Sequence, residues 1–386
     1  MILILNHKNE STDIYKLRLN LKLNDIFNSL IPIIALFMFA FLPTSNNSVI
    51  YGINRVVYVW LIINVFIVII SFLNKMDAKV LCLLPLTLFY LIIVTIMQLS
   101  GNDWARISLA RIVPIVCLLI LSSVIIVKEV PYKLMEMLLD IFCLSMILWN
   151  SFILLGNNVV KEFTINYFSQ YYDTALYYAM LRNKPIMSFG VHTYASYFYL
   201  LTFYLCYISA RNTKKLKYYI YCFFIVVFTF FLTSNTSIIY GFIMLIMFLT
   251  LLRYKPIFMS LAIIISLIIL ITSLPYLIER YTMILNSEIN GFIARYIGER
   301  TVFDNNLNTI KTSLGIGFCI LDDLNLGYSD SGYMVYLTMG HIPLMISIYI
   351  SIYKFLRNNI PKPYFKFICF VIFSFEIALP ARFQYR

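Results

Sequence analysis

Arginine, aspartate and glycine gather in one stretch of this chain. Residues 278–333 hold Arg280, Arg295 and Arg300, the pair Asp322-Asp323, Gly315 and Gly317, and a closing Asp330-Ser331-Gly332-Tyr333. A guanidinium is a planar fork that grips phosphate or carboxylate oxygens two at a time. Three of them in one loop suit an anionic ligand with several oxygens. A carboxylate at Asp330, close to such arginines, can take a proton from a hydroxyl. A plainer reading stands beside this one. Arg295–Glu299 and Arg300–Asp304 have i,i+4 spacing, so a helix in the loop would pair them off on its surface at little gain in stability. Asp330-Ser331 reads equally as the N-cap of the next helix. Leu314-Gly315-Ile316-Gly317 has neither the length nor the preceding strand of a phosphate loop. It is read as a place where the backbone approaches another element closely.

A second polar stretch, 156–190, carries Tyr167, Phe168, Tyr171, Tyr172, Tyr177 and Tyr178, followed by Arg182-Asn183-Lys184-Pro185. Aromatic rings at that density serve as a belt at a membrane interface or as faces on which sugar rings stack. The chain then continues as Ser188-Phe189-Gly190-Val191-His192-Thr193-Tyr194. His192 opens an apolar run there, either as a satisfied interfacial histidine or as a polar ligand or base beside a substrate.

The elements that must hold these residues are apolar. The 386-residue chain is 61% hydrophobic and only 12% charged, against roughly 25% charged residues in soluble domains. Its apolar runs are about 20 residues long, the length that crosses a bilayer as helix. The fold expected is an all-α, polytopic integral membrane protein with spans near 26–43, 53–73, 80–99, 110–127, 134–155, 191–210, 217–233, 236–252, 256–277, 332–353 and 364–380. The polar stretches 156–190 and 278–331 are then two large loops of a single membrane domain, 1–386. The run 26–43 has no small-residue cleavage site after it and reads as a retained helix.

Charge sets the orientation. Lys75/Lys79, Lys128/Lys133, Arg211/Lys214/Lys215/Lys217, Arg253/Lys255 and Lys354/Arg357/Lys362/Lys366 all fall on one side of this topology. The positive-inside rule makes that side cytoplasmic, together with the N-terminus, and turns both large loops outward. Counted this way, the inner side has fourteen Lys and four Arg, and the outer side nine Arg and three Lys. That skew favours groups that hold phosphate on the outside, or is a chance of small numbers. The net charge of +12 is broken into short clusters between apolar runs, which excludes the basic tracts of a nucleic-acid binder. Seven scattered cysteines and three histidines, with no CxxC spacing, give no metal site. Asp140 and Glu376 are acidic residues inside spans and need protein or water around them.

Taken together, the order of residues resembles the bacterial O-antigen polymerases of the Wzy-dependent polysaccharide pathway. The resemblance rests on Arg182 and the Phe-Gly-x-His-Thr entry at 189–193, and on Leu232-Thr233-Ser234-Asn235-Thr236 between two spans. It continues through Arg280 with Gly291, Arg295/Arg300, Leu-Gly-Ile-Gly-Phe at 314–318, Asp-Ser-Gly-Tyr at 330–333, and Gly340. It covers residues from about 150 to 357. The family's arginine-x10-glycine motif falls on Arg280 and Gly291. Around Arg182 the chain departs from it, with Gly190 early and Thr193 where the glycine would stand.

The resemblance implies a metal-independent glycosyltransferase without cofactor at the periplasmic face of the bacterial inner membrane. Its substrates would be oligosaccharide and polysaccharide linked to undecaprenyl diphosphate, and its partners membrane lipid, a chain-length regulator and a flippase. Arg182, Arg280 and Arg295 would hold diphosphate, with Arg300 supporting them. Tyr194 and Tyr333 would line the substrate, and Asp330 or His192 would act as base. Two rival functions share parts of the pattern. An O-antigen ligase of this architecture carries a histidine where this chain has Asp330-Ser331-Gly332-Tyr333. A lipid-linked oligosaccharide flippase has short loops on both sides and cations deep in its bundle.

Overall fold

Long apolar runs with few breakers leave the backbone no partner but itself, and helix is the local solution. The computed structural model describes residues 62, 65–69, 71–72, 75–101, 103, 105–125, 132–168, 174–187, 189, 192–252, 260, 278, 314–321 and 332–378. These are predominantly α-helical. Among the described residues, three helices are long and apolar enough to cross a membrane: Ala78–Gly101, Lys133–Leu154 and Val335–Asn359. Large apolar side chains such as Leu86, Phe89, Ile96 and Leu148 stand exposed on two of them. Water would not tolerate such faces, and lipid does. The expected span at 26–43 lies outside the described residues, as do those at 53–73 and 256–277 except for 62, 65–69, 71–72 and 260.

The described residues fall into two units, one made of those up to Met135 and those from 314 onward, the other of those within Glu136–Gly291. The first unit runs β1 (Lys75–Met76), α1 (Ala78–Leu81), α2 (Leu83–Gly101), β2 (Ala105–Ile107), α3 (Leu109–Ser122) and β3 (Val124–Ile125). The chain turns to and fro, and a short antiparallel ribbon closes each end. β1 pairs with β3, Lys75 opposite Ile125. At the other end β2 pairs with β4 (Cys319–Leu321), Ala105 opposite Leu321 and Ile107 opposite Cys319. The span expected at 110–127 therefore stops short. The Ser122 and Ser123 hydroxyls bond back to the carbonyls of Leu119 and Ile120, a pattern that competes with the helix ladder. Branched Val124 and Ile125 then leave as strand.

The rest of the first unit contributes one long and one shorter helix, Gly332–Asn359, which becomes α10, and Lys362–Ala378, α11. The ten-residue polar stretch ahead of α10 is outside the described residues. Asn358 and Asn359 lie at the β1–β3 end. Asn358 Nδ2 donates to Asp77, the N-cap of α1, at 3.0 Å, and Asn359 Nδ2 donates to the Val124 carbonyl at 2.8 Å.

The second unit holds the remainder of α4 (Tyr132–Leu154), then α5 (Asn158–Phe168), α6 (Thr174–Leu181), α7 (His192–Thr213), α8 (Leu216–Phe231) and α9 (Asn235–Leu252). Its core is aromatic: Tyr199, Phe203, Tyr218 and Phe228 are all buried. Cys143 and Cys206, both free and buried, bring their sulfurs within 3.5 Å between α4 and α7. The expected loop 156–190 is not irregular, for α5 and α6 lie within it. Asn157 Oδ1 accepts from the Val160 N–H and caps α5, and Trp149 Nε1 donates to Thr164 Oγ1 at 2.9 Å, tying α5 to α4. The Ser234-Asn235-Thr236 motif is a helix start. Ser234 and Ser237 exchange hydroxyl-to-amide bonds at 2.8 and 3.1 Å, the reciprocal arrangement of a capping box.

Candidate functional site

In the first unit the glycine-rich stretch enters the bundle. Gly315 (φ +111°) and Gly317 (φ +57°) adopt the left-handed side of backbone space. A Cβ on Gly315 would lie 2.5 Å from the Met339 carbonyl oxygen, and one on Gly317 2.8 Å from the Thr95 nitrogen. Only glycine fits. The hairpin is received by a break in α10, where Gly340 and His341 (φ 53°, ψ −158°) leave helical geometry. In an unbroken helix the Met339 carbonyl would take the N–H of residue 343, but that residue is Pro343 and has none. Gly317 N–H takes that carbonyl instead at 2.8 Å, and Ile316 N–H takes that of Thr338 at 2.9 Å.

Side chains complete the seat. Phe318 N–H donates to Thr95 Oγ1 at 3.0 Å, Gln98 Nε2 to the Gly315 carbonyl at 2.8 Å, and Tyr90 Oη to that of Leu314 at 3.1 Å. Arg111, 5% exposed, donates from Nη1 to the Cys319 carbonyl at 2.7 Å. Sequence reasoning counted Arg111 among the outward cations. The structure buries it against this backbone. Tyr333, expected to line substrate, donates its hydroxyl to the Phe373 carbonyl at 3.1 Å and stacks on Tyr349 with centroids 5.0 Å apart. Among the described residues, the buried His341 Nε2 finds no hydrogen-bond partner.

In the second unit Arg182 and His192 bracket a loop that also dips into the bundle. Arg182, exposed, is the C-cap of α6. Asn183 follows in left-handed geometry (φ 53°), and the bonds Asn183 N–H to Met180 and Lys184 N–H to Ala179 are those of a Schellman motif. A cation there also complements the helix dipole, a structural role open to Arg182 beside any other. The chain then buries Pro185, Ile186, Met187 and Phe189 before His192, half-buried, opens α7. Phe189 stacks on Phe198 with centroids 4.9 Å apart, and Tyr194 is 2% exposed.

Asn150, which sequence reasoning passed over, reaches this loop from α4. Its Oδ1 accepts from the Met187 N–H at 3.0 Å, and its Nδ2 donates to Tyr199 Oη at 2.6 Å. Tyr199 Oη in turn donates to the Pro185 carbonyl at 2.5 Å. A signal was available, since a lone asparagine in an apolar run must find partners. About 21 and 15 Å away along the same helix, Glu136 and Asp140 meet lysines. Lys217 Nζ lies 2.8 Å from Glu136 and 2.5 Å from Asp140, and Lys215 Nζ lies 2.5 Å from Glu136. Asp140, acidic within a span, thus has a basic partner. Lys215 and Lys217 mark one end of this unit, and Arg182 with His192 the other.

Among the described residues no group of three His, Cys, Asp or Glu side chains could hold a metal ion. Arg280, Gly291, Arg295, Arg300 and Asp330 lie outside the described residues. Of the expected site, Arg182, His192 and Tyr194 therefore fall in the second unit and Tyr333 in the first. No known protein family, curated protein or solved structure matches the chain.

Proposed function

We propose that this chain is an O-antigen polymerase of the bacterial inner membrane, with its N-terminus in the cytoplasm and its reaction at the periplasmic face. The acceptor is a repeat unit on undecaprenyl diphosphate, and its sugar hydroxyl attacks the anomeric carbon of the polymer's first sugar. The bond from that carbon to the donor's lipid diphosphate breaks, and the hydroxyl proton passes to Asp330 or His192. Arg182, Arg280 and Arg295 hold the diphosphates, with Arg300 behind them and Tyr194 and Tyr333 near the sugars. The donor is already activated by its leaving group, so charge stabilisation at fixed cations supplies the catalysis. A flippase and a chain-length regulator would deliver substrate and set product size.

The observation that supports this reading is that Arg182 and His192 bracket a buried loop at the end of a helical unit away from Lys215 and Lys217. It joins the order of motif residues from Arg182 to Gly340. The test is the lipopolysaccharide ladder of cells lacking this chain. Core bearing a single repeat unit is the expected result, and an unchanged ladder overturns the proposal. Bare core with lipid-linked polymer accumulating identifies a ligase instead. Bare core with no periplasmic lipid-linked sugar identifies a flippase.

A further inference from the structure

We infer that Asn150 and Tyr199 are positioning residues that hold Arg182 and His192 by clamping the backbone between them. The inference rests on the reading of Arg182 and His192 given above, and the clamp itself rests on geometry alone.

Backbone buried in an apolar bundle must find a partner for each N–H and carbonyl. Most of the loop after Arg182 provides for itself: Asn183 and Lys184 bond back to α6, Ile186 N–H to Lys184, and Phe189 N–H to Ile186. The Met187 N–H is met from outside by Asn150, and the Pro185 carbonyl by Tyr199. The same two side chains bond to each other, so the clamp is one connected network, and Asn150 and Tyr199 are both 0% exposed.

The backbone at the clamp is strained. Met187 sits at φ +49°, in left-handed space that an unbranched side chain with a Cβ avoids. A loop needed only to link two helices would take an easier path or place glycine there. Strain held by a buried polar network is what fixed presentation of neighbouring groups requires. Arg182 lies five residues before Met187 and His192 five after, so the clamp grips the midpoint between them.

Trypsin reads the clamp without any assay of function. It cuts after Arg182, which Asn183 follows, and not after Lys184, which Pro185 follows. Cutting needs the segment to open locally. In the detergent-solubilised full chain, Asn150→Leu and the shape-preserving Tyr199→Phe should each speed cleavage at Arg182 about tenfold relative to cleavage at Lys214-Lys215. Alongside it, polymerisation is measured with undecaprenyl-diphosphate-linked repeat units extracted from cells lacking this chain. There Tyr199→Phe should raise KM for the lipid-linked substrate as Arg182→Ala does, and the double variant should be no worse than Arg182→Ala alone. A merely structural role would lower the amount of folded protein and add to the Arg182→Ala defect.

Unchanged cleavage in Tyr199→Phe overturns the clamp whatever the sugars do. Faster cleavage with additive losses overturns the positioning role. Faster cleavage with a wild-type chain that makes no polymer leaves the clamp standing and removes the polymerase reading.

Discussion

Each unit carries a piece of irregular backbone inside a helical bundle, and the two are held in opposite ways. In the first, Gly315–Phe318 is seated chiefly by main chain. A helix break supplies two carbonyls, Pro343 keeps one of them open, and glycines give the close approach. In the second, Pro185–Phe189 contains no glycine among its described residues and is held by the side chains of Asn150 and Tyr199. Main-chain seating cannot be removed without remaking a helix. A side-chain clamp can be released one atom at a time while the helices around it stand. The first arrangement suits a part of the frame, the second a part whose position is tuned.

The largest effect should come from Gly317→Val. Its branched side chain would meet the Thr95 backbone in a conformation that already disfavours any Cβ. Left-handed strain plus overpacking comes to about 4 kcal/mol, so thermal unfolding in detergent should show a large drop or no folded protein. A variant as stable as the parent would end the contrast between the two units. Thr95→Val comes next. It keeps shape but strands the buried Phe318 N–H, at a cost of about 2 kcal/mol. A loss equal to that of Gly317→Val would mean that the hairpin, like the loop, depends on side chains.

The smallest effect is a pH dependence outside the membrane-spanning part. Slight burial pushes the Asp77 carboxyl up, but hydrogen bonds from Asn358 and from the N–H groups of Lys79 and Val80, with Lys354 nearby, outweigh it and leave the group below its ordinary 3.8. A depressed carboxylate contributes stability that is present above the unfolded value and lost as pH falls through the folded one. Asn358→Ala should therefore lower stability slightly at neutral pH, leave it unchanged in strong acid, and so flatten the acid limb of the stability curve below about pH 4. An acid limb of unaltered slope would show that the β1–β3 end is held without this bond.

Helices were legible in the sequence because their signal is long and repeated. His192–Thr213 and Leu216–Phe231 begin and end within a few residues of the apolar runs. What escaped was decided by partners far along the chain. Nothing local marks Asn150 as the mate of residues 187 and 199, or Arg111 as the mate of Cys319, 208 positions on. The break in α10 was hinted at by Gly340 and Pro343. A continuous apolar run hid it, because hydropathy does not register main-chain geometry. The helices α5 and α6 were missed for a related reason. They are short, α5 is mixed in polarity, and α5 is fastened to α4 through Trp149 and Thr164. Of the candidate site, the types and order of residues could be read. Whether each one faces a ligand or supports backbone could not, as Arg111 and Tyr333 show.

The meeting of Cys143 and Cys206 gives the second unit a built-in clock. Both thiols are sealed between α4 and α7, so an alkylating reagent reaches them only in the moments when those helices part. Cys82, exposed near the start of Ala78–Gly101 on the first unit, should react ahead of them. The lag between the fast thiol and the slow pair counts how often the second bundle breathes.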